Sequence, residues 1–260
     1  MKSTHTVAYV TQAYEAGPEN LAHPLIFVNR LQDAAGRHAE ALGVGMSGLR
    51  ERGMAWILAH SRLAITRCPK TWEKFTVTTW PSGRDRFYYT REFLFSGSDD
   101  SELARASTTW FVLDIARGRP LREPPLPPFP FRKEKLLDED APTSLQLLKK
   151  AATEATFAVQ NSDLDVNGHA NNAVFVRWAL DTLPDEICRR GRLARLEANY
   201  RRAAQPRTRV RSSLQVEEGE GTVFCRHLLT DADEGEELAR LGSKWFISPA
   251  EDRAPIGTPP

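Results

Sequence analysis

Cysteine is scarce: Cys68, Cys188 and Cys225 are the only three among 260 residues. An odd, widely spaced set is not a disulfide framework. With none in a Cys-x-x-Cys pair, no structural zinc site is expected. Net charge is nearly absent as well, at +1, so no broad field draws the chain to nucleic acid or an anionic membrane. Arg189, Arg190, Arg192, Arg195, Arg201 and Arg202 make a local arginine-rich stretch, read first as a solvated face. No run approaches the roughly 20 apolar residues that span a bilayer. The opening Met1-Lys2-Ser3-Thr4-His5 lacks the apolar core of a signal peptide. Membrane insertion is therefore not expected, and the expected location is the cytoplasm. The remaining balance, 41% apolar and 27% charged, suits a folded protein with room for two ordinary domains.

What the chain does contain is itself, twice. Glu102-Leu103-Ala104-Arg105 is followed after four residues by Trp110-Phe111, and Glu237-Leu238-Ala239-Arg240 after four by Trp245-Phe246. A second correspondence lies upstream. Leu25-Ile26-Phe27-Val28 leads into Leu31, Ala34, Ala35, His38 and Leu42, one apolar stripe of a helix. Ala173-Val174-Phe175-Val176 leads likewise into Trp178, Ala179 and Leu183, and Phe27 aligns with Phe175. The helix and strand matches need different offsets, so the first copy is longer between them, around 44–58.

Each copy continues as strands rich in β-branched and aromatic residues. The first has 56–58, 63–66, 75–80, 87–95 and 104–113, with turn signals at Pro81-Ser82-Gly83 and Ser96-Gly97-Ser98-Asp99. The second has 198–201, 209–216, 222–229 and 238–247. Six prolines within 120–131 mark a spacer, and 145–152 is expected to add a short helix. A helix apolar over most of its face must be wrapped, and a curved antiparallel sheet does so economically. The expected fold is therefore α+β, two tandem hotdog domains. Their bounds are 1–118 and 151–250, with a Pro-rich linker at 119–150 and a tail at 251–260.

Polar chemistry concentrates before the second helix, in Asn161-Ser162-Asp163-Leu164-Asp165-Val166-Asn167-Gly168-His169-Ala170-Asn171-Asn172. A helix start offers unpaired N–H groups and the positive end of a dipole. Both favour the negative oxygen that acyl transfer develops. Asp165 can activate water or attack directly, Asn167 can hold water, and His169 can share a proton near neutral pH. Gly168 and Ala170 are expected to lend backbone N–H groups to the oxyanion, with Asn171 and Asn172 in support. Capping explains Asn171 and Asn172 well, and Asp163 reads as a loop brace. Capping does not explain Asp165, Asn167 and His169 together. Carried back to the first copy, the alignment places Gly17, Glu19 and Leu21 opposite those three, so only one copy is equipped. An acyl pocket is expected from Leu25, Val28, Leu31, Trp56, Leu58 and Trp110, each of which also fits an ordinary core.

At these residues the chain resembles the acyl-acyl carrier protein thioesterase family. The likeness covers most of the chain. It runs through Leu31-Gln32-Asp33-Ala34-Ala35-Gly36-Arg37-His38-Ala39, Gly53-Met54-Ala55-Trp56-Ile57-Leu58, Thr79-Trp80-Pro81-Ser82-Gly83 and Tyr200-Arg201-Arg202. The most specific piece is Asp165-Val166-Asn167-Gly168-His169-Ala170-Asn171-Asn172. The resemblance implies hydrolysis of fatty acyl-acyl carrier protein to free fatty acid, with no cofactor or metal. It puts the catalytic Asp, Asn and His on Asp165, Asn167 and His169. The implied partners are acyl carrier protein and the fatty acyl chain, and a homodimer stays open. One departure stands out. The family's glutamate after the strand matching Tyr200-Arg201-Arg202, and the cysteine that plant members carry beside it, are replaced by Ala203 and Ala204. Glu197 and Gln205 lie nearby in sequence. A coenzyme A thioesterase and a non-catalytic acyl-binding protein are the alternative readings.

Overall fold

In the computed structural model, which describes residues 2–137 and 145–248, the sequence repeat is a structural repeat. The first copy opens on β1 (His5–Val10) and a 3-10 turn at Ala13–Glu15. It continues through α1 (Leu25–Ala41), α2 (Met46–Glu51), β2 (Met54–Ile65), β3 (Lys74–Asp85), β4 (Tyr88–Gly97) and β5 (Glu102–Asp114). After the two-residue β6 (Arg119–Pro120) the series recurs. It comprises β7 (Thr153–Ala158), a 3-10 turn at Asn161–Asp163, α3 (Asn172–Asp181), α4 (Asp185–Arg190), β8 (Gly191–Tyr200), β9 (Arg209–Gly219), β10 (Thr222–Asp231) and β11 (Glu237–Ile247).

The strands form one antiparallel sheet in the order β1-β3-β4-β5-β2-β8-β11-β10-β9-β7, with β6 attached to β5. The order reads the same by copy from either end, and β2 against β8 is the join. Each copy thus has one long helix against a curved half-sheet, the expected hotdog pair. α1 buries Ile26, Phe27, Val28, Leu31, Ala34, Ala35 and His38, the stripe read from spacing. α3 ends after ten residues where α1 runs for seventeen, which explains much of the change in offset.

Three local expectations are corrected. The expected strands at 56–58 and 63–66 merge into one, β2, which ends at Ile65 and has a bulge between Leu58 and His60. Pro81-Ser82-Gly83 is no turn; it lies inside β3, with a bulge between Pro81 and Gly83. β1 pairs with β3 only as far as Thr79, so Pro81 lies beyond the end of β1, where its carbonyl accepts Arg132 N–H at 2.9 Å and its missing N–H breaks no pairing with β1. Residues 145–152 form no helix, because Lys149 N–H donates to Gln215 Oε1 and Ala152 N–H to the Leu214 carbonyl. The linker is more than a spacer, since Leu121, Leu126 and Phe129 pack on a small apolar cluster around Leu42, Leu49 and Val112. The tail expected at 251–260 lies outside the described residues. Among the described residues no helix is long and apolar enough to cross a membrane.

Two buried histidines give the fold an acid limit. His38 Nδ1 accepts from Arg91 Nη1 at 3.0 Å, and arginine only donates, so this imidazole is neutral. Burial, with the Arg91 charge second, pushes its pKa down to about 4. His227 is 2% exposed, and burial pushes it down to about 4 as well. Between their usual 6.5 and 4 the unfolded chain binds more protons than the folded one, so stability falls as pH drops through that window. For His227 alone the loss from pH 7 to pH 5 is about 2 kcal/mol. Urea midpoints at the two pH values should show a smaller drop for His227→Leu than for the native chain. Equal drops would mean His227 titrates normally.

Candidate active site

The loop between Leu164 and Ala170 is built by backbone hydrogen bonds before any side chain is considered. Asp165 N–H donates to the His169 carbonyl at 2.8 Å and Gly168 N–H to the Asp165 carbonyl at 2.9 Å. The stems are tied by Ala170 N–H to the Ala204 carbonyl at 3.0 Å and Asn171 N–H to the Asp163 carbonyl at 2.9 Å. The first copy makes every one of these bonds. Gly17 donates to Leu21, Asn20 to Gly17, Ala22 to Pro69 and His23 to Glu15, at 2.8 to 3.0 Å. Gly168 sits at φ +78° and its counterpart Asn20 at φ +60°. Glycine and asparagine are the residues that enter this region most readily. Gly168 serves the turn, and a side chain there would meet no atom within 4 Å.

On this shared backbone the two copies carry different side chains. Asp165 and Asn167 are brought together: Asp165 Oδ1 accepts Asn167 N–H at 2.8 Å and Oδ2 accepts Asn167 Nδ2 at 3.3 Å. Asp165 and His169 are half-buried, while Val166, Asn167 and Gly168 are exposed. Asn171 caps α3, its Oδ1 accepting Ala173 N–H at 2.8 Å, and Asn172 is the first helical residue. Asp163, 2% exposed, accepts Arg177 Nη2 at 2.8 Å and Gln160 N–H at 2.9 Å.

The expected backbone donors need correction. The N–H groups of Gly168 and Ala170 are spent inside the loop and on Ala204, so neither is free for an oxyanion. Those of His169 and Asn172 take no partner among the described residues. Glu197 cannot stand in for a glutamate at the loop. Its neighbours Leu196 and Ala198 face the core, so it points to the opposite sheet face, where His60 Nε2 lies 2.7 Å from its Oε1. Ala203 and Gln205 are exposed on either side of buried Ala204.

The expected acyl-pocket residues do not form one lining. Val28, Leu31 and Leu58 are fully buried, and Leu25 and Trp110 pack on the main core. Trp56 belongs to the separate small cluster, its Nε1 donating to the Val44 carbonyl at 2.8 Å. A cleft of about 270 Å³ opens beside the loop stems, bounded by Leu25, Asn29, Asp163, Leu164, Asn171 and Arg177. Of the expected residues it includes Leu25 and Asn171; Asp165, Asn167 and His169 are not in its wall.

Three further groups were not anticipated. Gln32 of α1 donates to Asn171 Oδ1, Arg50 of α2 donates to the Val166 carbonyl, and Arg177 holds Asp163. All three are contacts across the fold, and only the Asp163–Arg177 spacing lay within one stretch of sequence.

Comparison with known proteins adds family-level matches. The model of the acyl-ACP thioesterase N-terminal domain matches residues 2–125, and that of the acyl-ACP thioesterase C-terminal domain matches 147–246. A palmitoyl-acyl carrier protein thioesterase of Gossypium hirsutum, described as chloroplastic, is 27% identical over 94% of this chain and 64% of its own length. A dodecanoyl-[acyl-carrier-protein] hydrolase of Umbellularia californica, also chloroplastic, is 26% identical over 91% of this chain and 66% of its own. The chain therefore spans just under two thirds of the length of these curated relatives. Among solved structures, a 12:0-ACP thioesterase from Umbellularia californica superposes with TM-score 0.83 at 23% identity, over 94% of both chains. An acyl-ACP thioesterase from Bacteroides thetaiotaomicron gives 0.76 at 21% identity, over 94% of this chain and 98% of the other. At these identities the structural likeness speaks for the fold.

Proposed function

We propose the function from a premise that the two matched domain models establish: the chain belongs to the acyl-acyl carrier protein thioesterase family. Its reaction is hydrolysis of a fatty acyl thioester carried by acyl carrier protein. The observation that carries this reading is the repeated loop. One backbone turn serves both copies, and only the second places an acid, an amide and an imidazole at its first, third and fifth positions, where the first copy has Gly17, Glu19 and Leu21. The backbone turn does not require Asp, Asn and His at these three positions, since the first copy forms it with Gly17, Glu19 and Leu21.

In this reading the thioester carbonyl lies at the start of α3, its oxygen toward the open N–H groups of His169 and Asn172. The helix dipole favours the charge that develops there. Asp165, held by Asn167, acts on the carbonyl carbon directly or through a water. Water oxygen ends in the fatty acid, the C–S bond breaks, and the carrier leaves as a thiol after taking a proton. His169 positions the substrate or that water. No metal or organic cofactor takes part.

Ala203, where the resembling family carries glutamate, favours one rival: a protein that binds acyl carriers without hydrolysing them. Free-thiol release from acyl carrier protein and coenzyme A esters of matched chains separates the readings. The expected result is turnover, faster with the carrier-protein ester. Ala203→Glu should raise kcat by about tenfold or more, part of the roughly 10²–10⁴-fold that a well-placed general base supplies. Tight carrier binding with no thiol released from any ester would establish the rival.

A further inference from the structure

The structure assigns Gln32, on the first copy's central helix, as a positioning residue for the second copy's loop. The inference rests on the thioesterase reading for its kinetic arm alone. Gln32 Nε2 donates to Asn171 Oδ1 at 3.0 Å and to its own helix's Val28 carbonyl at 3.3 Å. The same Asn171 oxygen accepts Ala173 N–H at 2.8 Å and so caps α3. One oxygen therefore joins the start of α3 to a side chain from the other copy. With both acceptor directions of that oxygen taken, the Asn171 amide has one orientation. Asn171 N–H is in turn fixed on the Asp163 carbonyl. His169, with its open N–H, lies two residues away.

The repeat supplies the control. With Phe27 opposite Phe175, the counterpart of Asn171 is His23 and that of Gln32 is Leu180. Leu180 packs on the core and has no side-chain polar group. At the counterpart positions, among the described residues, no side-chain hydrogen bond joins Leu180 to His23; the polar pair stands only beside the loop bearing Asp165 and His169. Arg50 Nη1, reaching the Val166 carbonyl at 3.5 Å, adds a second hold from the same side. A positioned loop matters for rate because small displacements of reacting groups are costly in catalysis.

The test is Gln32→Leu, which installs the residue already present at the equivalent helix position. Hydrogen exchange is followed in peptides covering 165–173 and, as internal control, 17–25. Steady-state kinetics on an acyl carrier protein ester are run beside it. Exchange in 165–173 should quicken about fivefold, as the loss of one hydrogen bond allows, with 17–25 unchanged. kcat should fall about tenfold with KM within about twofold. Asn171→Ala should lower kcat by a similar factor, and the double variant should lose little more. Unchanged exchange, unchanged kcat, or fully additive losses would overturn the assignment. A native chain that releases no thiol would remove the thioesterase reading. The exchange comparison then decides the brace by itself, equal rates in 165–173 counting against it.

Discussion

Asp165→Asn is expected to lower kcat for thioester hydrolysis by about a thousandfold, within the range for loss of a catalytic acid–base or nucleophilic group. The substitution keeps the shape of the side chain and its Oδ1 acceptor for Asn167 N–H, now 2.8 Å away. What it removes is the negative charge and the lone pair that can take a proton or attack carbon. The new amide group would face Asn167 Nδ2, at 3.3 Å, and rotation of the Asn167 amide relieves that clash. The half-exposed site makes the structural cost small, so the melting temperature should stay within a few degrees. Rate and melting curve are measured on the same preparation. A variant that turns over at the native rate would remove Asp165 from the mechanism.

Trp178→Ala should produce the largest loss of stability. Trp178 is 1% exposed and packs between Phe157 and Phe175, with ring centroids 6.1 and 5.4 Å away. It is the largest of the six side chains that α3 buries. Truncation leaves a cavity that the flanking rings cannot close, at about 3 to 5 kcal/mol. For a chain of this size that corresponds to about 6–20 °C in melting temperature. A shift under about 2 °C would mean that the helix is held by other contacts. Because α3 carries the loop at its start, activity measured below the new melting point should fall less than stability does.

The fold was legible where the repeat was legible. Phe27-Val28 against Phe175-Val176 and the two Glu-Leu-Ala-Arg strands reveal both copies, and periodicity of the apolar residues marks α1 and α3. A further echo was available in Gln12-Ala13-Tyr14-Glu15 and Gln160-Asn161-Ser162-Asp163, which form the same capping box in both copies. Tertiary pairing defeated the local signals elsewhere. Proline and glycine at 81–83 look like a turn until the neighbouring strand is seen to stop at Thr79. Residues 145–152 look helical until Gln215 and Leu214 claim their N–H groups. Of the candidate site, the residue types at 165, 167 and 169 were visible because they exceed what a turn needs. The engaged N–H groups of Gly168 and Ala170, and the reach of Gln32 and Arg50 from the other copy, depend on which segments fold against the loop. No spacing within the loop encodes that.

The central claim is that one backbone turn, present twice, is chemically armed once. The chain itself supplies the most direct test, in a variant whose second loop carries the first loop's residues: Asp165→Gly, Asn167→Glu and His169→Leu together. Gly17, Glu19 and Leu21 already occupy this turn in the first copy with the same hydrogen bonds, so the variant should fold. The account predicts native-like far-ultraviolet circular dichroism and cooperative melting, with thiol release from an acyl carrier protein ester reduced to the uncatalysed rate. Thiol release at a rate near that of the native chain from such a folded variant would contradict it.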